Sequence, residues 1–220
     1  MRNILLLISA ILICIGVYLI FEDKPIQQGV KYFKEHKYKE AFKIFEKYKD
    51  DKDIRISAVA RYYLSTMYSE VLGVRQDLNE AFYITKKSAE MGDKHAQIST
   101  GEAYLKGNGT YVDYVKAIYW LKKSSEQDSE DAQFLLALMY YEGEGVDINY
   151  ELALDYAKKA ASKGHIVAEI LIADAYTTGR GVNINLGEAY RILFKIRNAG
   201  DFTKNAFNDF CNTYVEICKK

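Results

Sequence analysis

Residues 132–153 read AQFLLALMYYEGEGVDINYELA, and the same pattern recurs along the chain. It repeats every 36 residues without a gap from Ser57 to Gly200, which gives four copies. Three columns carry the repeat: Ala60, Ala96, Ala132 and Ala168; Tyr68, Tyr104, Tyr140 and Tyr176; and Ala81, Ala117, Ala153 and Ala189. Such regularity predicts a stack of similar units, each too small to bury its apolar face alone.

Each copy contains the signals of two helices joined by a glycine-rich loop. Glycine pairs such as Gly143 and Gly145 follow the Tyr column, where glycine permits the left-handed backbone that ends a helix. Small residues between the first Ala and the Tyr predict a close helix-on-helix face: Ser65, Gly101, Ala137 and Ala173. Polar columns predict N-caps for the second helices at Asp77, Asp113, Asn149 and Asn185, and for the first at Ser57, Asp93, Ser129 and Asp201, with His165 as the exception.

The residues in these columns resemble the Sel1-like repeat, A-x3-[LI]-[GA]-x2-Y-x2-G-x-G-V followed by [DN]-x3-A. The third copy represents it best, with Ala132, Leu136, Ala137, Tyr140, Gly143, Gly145, Val146, Asn149 and Ala153. Upstream, another set is similar in spacing to the related tetratricopeptide motif: Gly29, Tyr32, Tyr38, Ala41 and Phe45. The resemblance implies an all-α, right-handed α-solenoid of Sel1-like and tetratricopeptide-like helix-turn-helix repeats. The apolar run before it predicts an N-terminal membrane-directed helix. It implies no shared chemistry, because such scaffolds display surfaces.

This pattern divides the chain into successive segments. We expect a signal peptide or signal anchor at 1–21 and a tetratricopeptide-like repeat at 22–56. Four Sel1-like repeats follow at 57–92, 93–128, 129–164 and 165–200. Residues 201–220 are predicted to form a C-terminal capping helix.

An apolar run of 18 residues, from Ile4 to Phe21, precedes the repeats. A helix of this length reaches about 27 Å, close to the roughly 30 Å of a hydrocarbon core, and an uncleaved anchor is favoured over a poorly matched signal peptide. Arg2 precedes the run, whereas Glu22 and Asp23 follow it, which predicts a cytoplasmic N-terminus. We therefore expect a body that is periplasmic, or anchored in the inner membrane and outside the cytoplasm.

Charge and cysteine content exclude several functional classes. Thirty basic and thirty acidic residues give a formal net charge of zero, so nucleic-acid binding is not expected. The three Cys show no metal-ligand spacing, and we expect no metal and no cofactor. On one continuous helix the Cα atoms of Cys211 and Cys218 would lie about 10 Å apart, beyond disulfide reach. We therefore expect both cysteines to be packing residues of the capping helix.

The sequence contains no recognisable catalytic motif. The G-x-G loops follow no predicted strand and never continue into G-K-[ST], so they are predicted to be structural turns. The three histidines fall in different columns and are not spaced as metal ligands: His36, His95 and His165, which stands at an N-cap position. Glu130 and Asp131 are ordinary acids of a first helical turn. We therefore expect a protein that is not an enzyme.

The predicted binding surface is a concave groove. In tetratricopeptide-like solenoids the first helix of each pair lines the groove, so the resemblance implies which columns contact a partner. Those columns hold Tyr62, Glu70, His95, Ile98, Glu102, Lys106, Asp131, Phe134, Tyr141, Glu142 and Asp174. Residues Asp128 to Lys163 carry eight acids against three Lys, which favours a basic partner segment. A competing interpretation makes the acids a solvated face and the aromatics inter-repeat core.

We therefore expect a module that binds a protein partner in its groove. The resemblance implies roles as adaptors, host-interaction factors or exported immunity proteins that neutralise secreted phospholipase effectors of rival bacteria. The chain's small size and leader favour the immunity role. Alternatives are an envelope scaffold or adaptor and a homo-oligomer formed through Cys211, Cys218 or open solenoid ends. An envelope hydrolase is the least supported, because it would need a catalytic cluster.

Overall fold

A computed structural model describes residues 25–219 as helices joined by short loops, without strands. In chain order they are α1 (Pro25–Lys34), α2 (Tyr38–Tyr48), α3 (Ile54–Glu70), α4 (Leu78–Glu90), α5 (Lys94–Lys106), α6 (Tyr114–Glu126), α7 (Glu130–Glu142), α8 (Tyr150–Ser162), α9 (Ile166–Thr178), α10 (Leu186–Ile196), α11 (Asp201–Thr213) and α12 (Val215–Cys218). The predicted all-α class of consecutive helix-turn-helix repeats is confirmed. The predicted leader at 1–21 lies outside the described residues. Between residues 25 and 219, no helix is both long and apolar enough to span a membrane.

These helices form two compact units. The first contains α1 to α4 together with residues 108–110, and its core surrounds Phe45, Leu64 and Met67, all fully buried. The second contains α5 to α12. One of its apolar clusters lies between α7, α8 and α9, around the fully buried Ala137, Ala157, Ala160 and Ala168. Another joins α10 to α11 through Leu193, Ile196 and Phe210.

The small-residue column forms the predicted contact between the two helices of a repeat. A Cβ atom added at Gly101 would lie 2.8 Å from Cγ of Leu121, so α5 packs on α6 at backbone distance. Ala137 and Ala173 are buried at the equivalent positions. In the first unit, Ser65 hydrogen-bonds to Thr85 Oγ1 of α4 at 2.6 Å. The small side chains therefore have the packing role that the sequence predicts.

The second cap column is confirmed in all four repeats. The side chains of its members accept first-turn N–H groups from Glu80, Lys116, Leu152 and Glu188. Their own backbone N–H groups donate to carbonyl oxygens of the repeat's Tyr column, at 3.1, 2.9, 2.9 and 2.8 Å. Each cap residue thus joins the end of the first helix to the start of the second.

The first cap column is only partly correct. Ser129 caps α7 through Ala132 N–H, and His165 caps α9 through Ala168 N–H. The prediction for Ser57 is wrong, because α3 begins one turn earlier with Asp53 as its N-cap. Asp201 is the first residue of α11 and follows the cap position.

The second glycine of each loop lies against the start of an earlier helix. A Cβ at Gly145 would overlap Cβ of Tyr114, the first residue of α6, and one at Gly181 would lie 2.5 Å from the carbonyl oxygen of Tyr150, the first residue of α8. Gly73 and Gly109 lie in the same way against Tyr38 and Leu78, the first residues of α2 and α4. These glycines therefore dock a loop on a preceding helix, in addition to their left-handed φ of +70° to +74°.

The C-terminal segment differs from the predicted single helix. Tyr214, with φ −117° and ψ 56°, separates α11 from the short α12. This turn brings the Cα atoms of Cys211 and Cys218 to 5.6 Å, and the two residues form a disulfide. The expectation that they lie beyond disulfide reach is wrong because it assumed one continuous helix. Tyr214 and Ile217 pack on the cluster of Phe210, so the segment covers the apolar side of α10.

Candidate functional site

The predicted partner-binding residues are divided between the two units. Tyr62 and Glu70 lie on α3 in the first unit. The other nine lie on α5, α7 and α9 in the second unit, and we call these nine the first-helix face: His95, Ile98, Glu102, Lys106, Asp131, Phe134, Tyr141, Glu142 and Asp174.

The structure joins Tyr141 of α7 to Asp174 of α9. The Tyr141 hydroxyl donates to the Asp174 carboxylate and accepts from Arg180 Nη1 at 2.8 Å. The Arg180 guanidinium lies 5.3 Å from the ring centroid of Tyr141 and 5.7 Å from that of Tyr150, within cation–π range. Arg180 Nη1 is 3.7 Å from Asp174 Oδ2, so this acid has a cationic partner within the chain.

Protonation of these side chains is consistent with that network. Burial raises the pKa of Tyr141, and the hydrogen bond to Asp174 raises it further while Arg180 opposes it. The contact with Tyr141 in turn raises the pKa of Arg180. At neutral pH the phenol therefore donates to the carboxylate, and the guanidinium carries its charge over the two tyrosine rings.

A second contact between α7 and α9 surrounds Phe134. Its ring stacks on that of His165 with centroids 4.2 Å apart, and its inner side packs on the buried cluster around Ala137. His165 Nδ1 accepts the Ala168 N–H at 3.2 Å, so the proton of the neutral ring is on Nε2. Nε2 lies 3.7 Å from Asp131 Oδ1. Phe134 is therefore partly core, as the competing interpretation of the aromatics proposes.

The remaining predicted residues are less closely connected. On α5, Lys106 pairs with Glu102 at 3.2 Å, His95 is exposed and Ile98 is half-buried. Glu142 is exposed at the end of α7. On α3, the Tyr62 side chain is 67 % exposed. Glu70 is exposed at the end of that helix.

Sequence reasoning missed the contributions of Arg180, His165 and Tyr150 to this surface. Arg180 is the middle residue of its G-x-G loop, where the two preceding loops carry Asn108 and Glu144. This change of charge could have drawn attention to Arg180. The contact between Arg180 and Tyr141, 39 residues earlier, could not be predicted from the sequence. Across residues 25–219, no three His, Cys, Asp or Glu side chains are grouped to hold a metal ion. The arrangement supplies aromatic rings, acids and one shared cation, which suit recognition of a protein.

Comparison with known proteins identifies the repeat. The Sel1 repeat model matches residues 58–93, 94–129, 130–165 and 166–201. The chain belongs to the Sel1 repeat family. Sel1 repeats generally mediate protein–protein interaction, and Sel1 repeat proteins are typically non-catalytic.

Solved Sel1 structures share the fold. A Sel1 repeat protein from Oxalobacter formigenes is 29% identical, with a TM-score of 0.71, and the match covers 80% of this chain and 70% of that one. A protective antigen of uropathogenic Escherichia coli strains, which displays an SLR fold, is 24% identical with a TM-score of 0.74. That match covers 87% of this chain but 41% of the antigen, and at this identity it concerns the fold alone. No curated protein matches the sequence.

Two substitutions of His165 test its capping role apart from its ring stacking on Phe134. Both His165→Ser and His165→Ala remove the ring from Phe134, but serine restores an N-cap oxygen such as the one Ser129 supplies in the preceding repeat. We expect the serine variant to be more stable than the alanine variant by about 1 kcal/mol in urea unfolding. Equal stability of the two variants would show that a side-chain N-cap at position 165 does not stabilise α9.

Proposed function

We propose that this Sel1 repeat protein is a non-enzymatic module that binds one protein through its first-helix face. The observation that carries the proposal is a contrast between columns. The core Ala and Tyr columns are identical in all four repeats, whereas face positions change in charge between neighbouring repeats, as from His95 to Asp131 or from Lys106 to Glu142. These four side chains are exposed, whereas Phe134 and Tyr141 take part in the contacts between α7 and α9 that hold an aromatic ring, so the four are available to specify a partner.

The chemistry of the face supports a partner with a basic segment. Asp174 and Glu102 already have cationic partners within the chain, at 3.7 and 3.2 Å. Asp131 and Glu142 remain exposed on α7, in the repeat with the largest acidic excess. Tyr141 lies beside Glu142 and combines an apolar ring with a polar end, as interface residues often do.

Charge reversal on α7 tests this assignment. The full chain, with a C-terminal affinity tag, is used to capture proteins from a detergent extract of envelopes. We expect the wild type to retain one protein that Asp131→Lys/Glu142→Lys loses, because the exposed acids no longer attract its basic segment. The matched control is Glu151→Lys/Asp155→Lys, which reverses two exposed acids on α8 of the same repeat and should retain that protein.

The outcomes of this capture separate the candidate roles. A retained hydrolase whose activity falls when the chain is added would support an immunity protein, and an envelope component would support an adaptor. Capture of additional copies of the chain alone would support homo-oligomeric assembly. Equal retention by both double variants would contradict the proposal that the first-helix face binds the partner.

We also propose that the body is exported, and the support for this is the Cys211–Cys218 disulfide. Disulfides persist in oxidising compartments such as the periplasm and are rare in the cytosol. The orientation expected from Arg2, Glu22 and Asp23 adds no support for export. Lys and Arg set the orientation of a membrane helix far more than Asp and Glu do, and five lysines lie within 18 residues after Phe21, against Arg2 alone before the run. Since the two sulfurs are bonded to each other, they offer no thiols for the homo-oligomer considered from the sequence.

Thiol trapping in intact cells tests this localisation. In a Cys14→Ser background, we expect Cys211 and Cys218 to be blocked in normal cells and reactive in cells that lack their periplasmic disulfide oxidase.

Closing an eight-residue loop stabilises a protein by about 2–3 kcal/mol, so the reduced chain should also unfold at lower urea concentration. Two reactive thiols in normal cells would contradict export.

A further inference from the structure

The first helix pair has a charge that the neutral chain as a whole conceals. We call residues 25–49, which contain α1, α2 and the loop between them, the basic hairpin. It carries seven Lys and three Glu. The lysines are Lys31, Lys34, Lys37, Lys39, Lys43, Lys47 and Lys49.

The lysines of the basic hairpin are concentrated on its exposed surface. On α2, Lys39, Lys43 and Lys47 recur every fourth residue on the exposed side, whereas Ala41 and Phe45 are fully buried. On α1, Lys31 and Lys34 are exposed as well. Like charges at this spacing destabilise a helix. The row of lysines on α2 therefore does not contribute to the stability of the hairpin.

The hairpin's own acids neutralise few of these charges. Glu35 pairs with Lys37 at 2.7 Å, and Glu46 pairs with Lys49 at 2.8 Å. The third acid, Glu40, is exposed on the first turn of α2. Among residues 25–219, no acid forms an ion pair with five other lysines that are exposed. One of them, Lys47, lies over the Tyr48 ring at 5.4 Å. The other four are Lys31, Lys34, Lys39 and Lys43. Within the described residues, Glu35 attracts Lys31 without forming an ion pair with it, and all four cations can therefore face an anionic partner.

The position of the hairpin in the chain indicates which anionic partner it meets. The apolar run ends at Phe21 and α1 begins at Pro25, so three residues separate them. Three residues span about 10 Å when fully extended. This short tether keeps the hairpin near the headgroups beside an inserted leader. At physiological ionic strength its lysines interact with the headgroups that lie within a screening length of about 8 Å.

We propose that the basic hairpin lies on anionic phospholipid headgroups and contacts them through Lys31, Lys34, Lys39 and Lys43. This second membrane contact rests on retention of the leader in the bilayer, but not on the protein-binding role of the first-helix face. Combining an apolar insertion with a polybasic surface is a general way to make membrane attachment stable. Each lysine near an anionic surface strengthens attachment about fivefold.

Contact-range fluorescence quenching tests the proposal on the full chain. A fluorophore is attached at Glu40→Cys, at the end of the hairpin farther from the leader, in a Cys14→Ser background. The chain is reconstituted in phosphatidylcholine vesicles with or without phosphatidylglycerol, with a nitroxide on a fraction of the headgroups. We expect strong quenching only with phosphatidylglycerol, and its loss in 1 M salt, where the screening length is about 3 Å.

Variants of the four lysines supply the controls. Replacing all four by Gln should reduce quenching to the value in phosphatidylcholine alone, whereas replacing all four by Arg should preserve it. Replacing Lys122, Lys158, Lys159 and Lys204, which are exposed in the second unit, by Gln removes the same charge and should change nothing. Quenching that is independent of phosphatidylglycerol, or insensitive to the four Gln substitutions, would overturn the proposal. The proposal would also be overturned if the same lysines retained a nucleic acid or an acidic protein in the absence of lipid.

Discussion

The stacking of this protein depends on a close approach between a loop and a helix that a side chain would block. Gly145 lies against the first residue of α6, and Gly181 lies against the first residue of α8. Since each loop is also bonded to its own helices through the cap residue and the Tyr carbonyl, docking the loop positions a whole helix pair. The first repeat indicates that the docking glycine matters more than the helix-ending one. Val71 replaces the helix-ending glycine there, whereas Gly73 retains the docking contact.

Features that depend on neighbours in sequence could be predicted well. The second cap column and the small-residue column follow from side-chain chemistry at fixed spacing, and each recurs in several copies. The docking role of Gly145 could not be predicted, because it depends on a residue 31 positions earlier. The prediction that Cys211 and Cys218 lie too far apart for a disulfide was wrong for a related reason. The amphipathic pattern continues through Tyr214, whereas the backbone turns there.

The candidate site shows the same division between local pattern and distant contact. The resemblance placed Tyr141 and Asp174 on the first helices of successive repeats, and the structure joins the two side chains by a hydrogen bond. It could not show that Arg180 supplies a cation to both, so the face is less acidic than the sequence count indicates. On this face Asp131 and Glu142 remain exposed, and the aromatic rings beside them are held by contacts with neighbouring helices.

The most direct test of the docking constraint compares two loop glycines by urea unfolding. Gly145 and Gly164 both have positive φ, +71° and +95°, but a Cβ at Gly164 would meet nothing within 4 Å. Gly164→Ala should cost only the left-handed penalty of about 1–2 kcal/mol. Gly145→Ala should cost about 1–3 kcal/mol more, because α6 must move away from the loop. Equal losses in the two variants would contradict the claim that loop docking holds the repeats together.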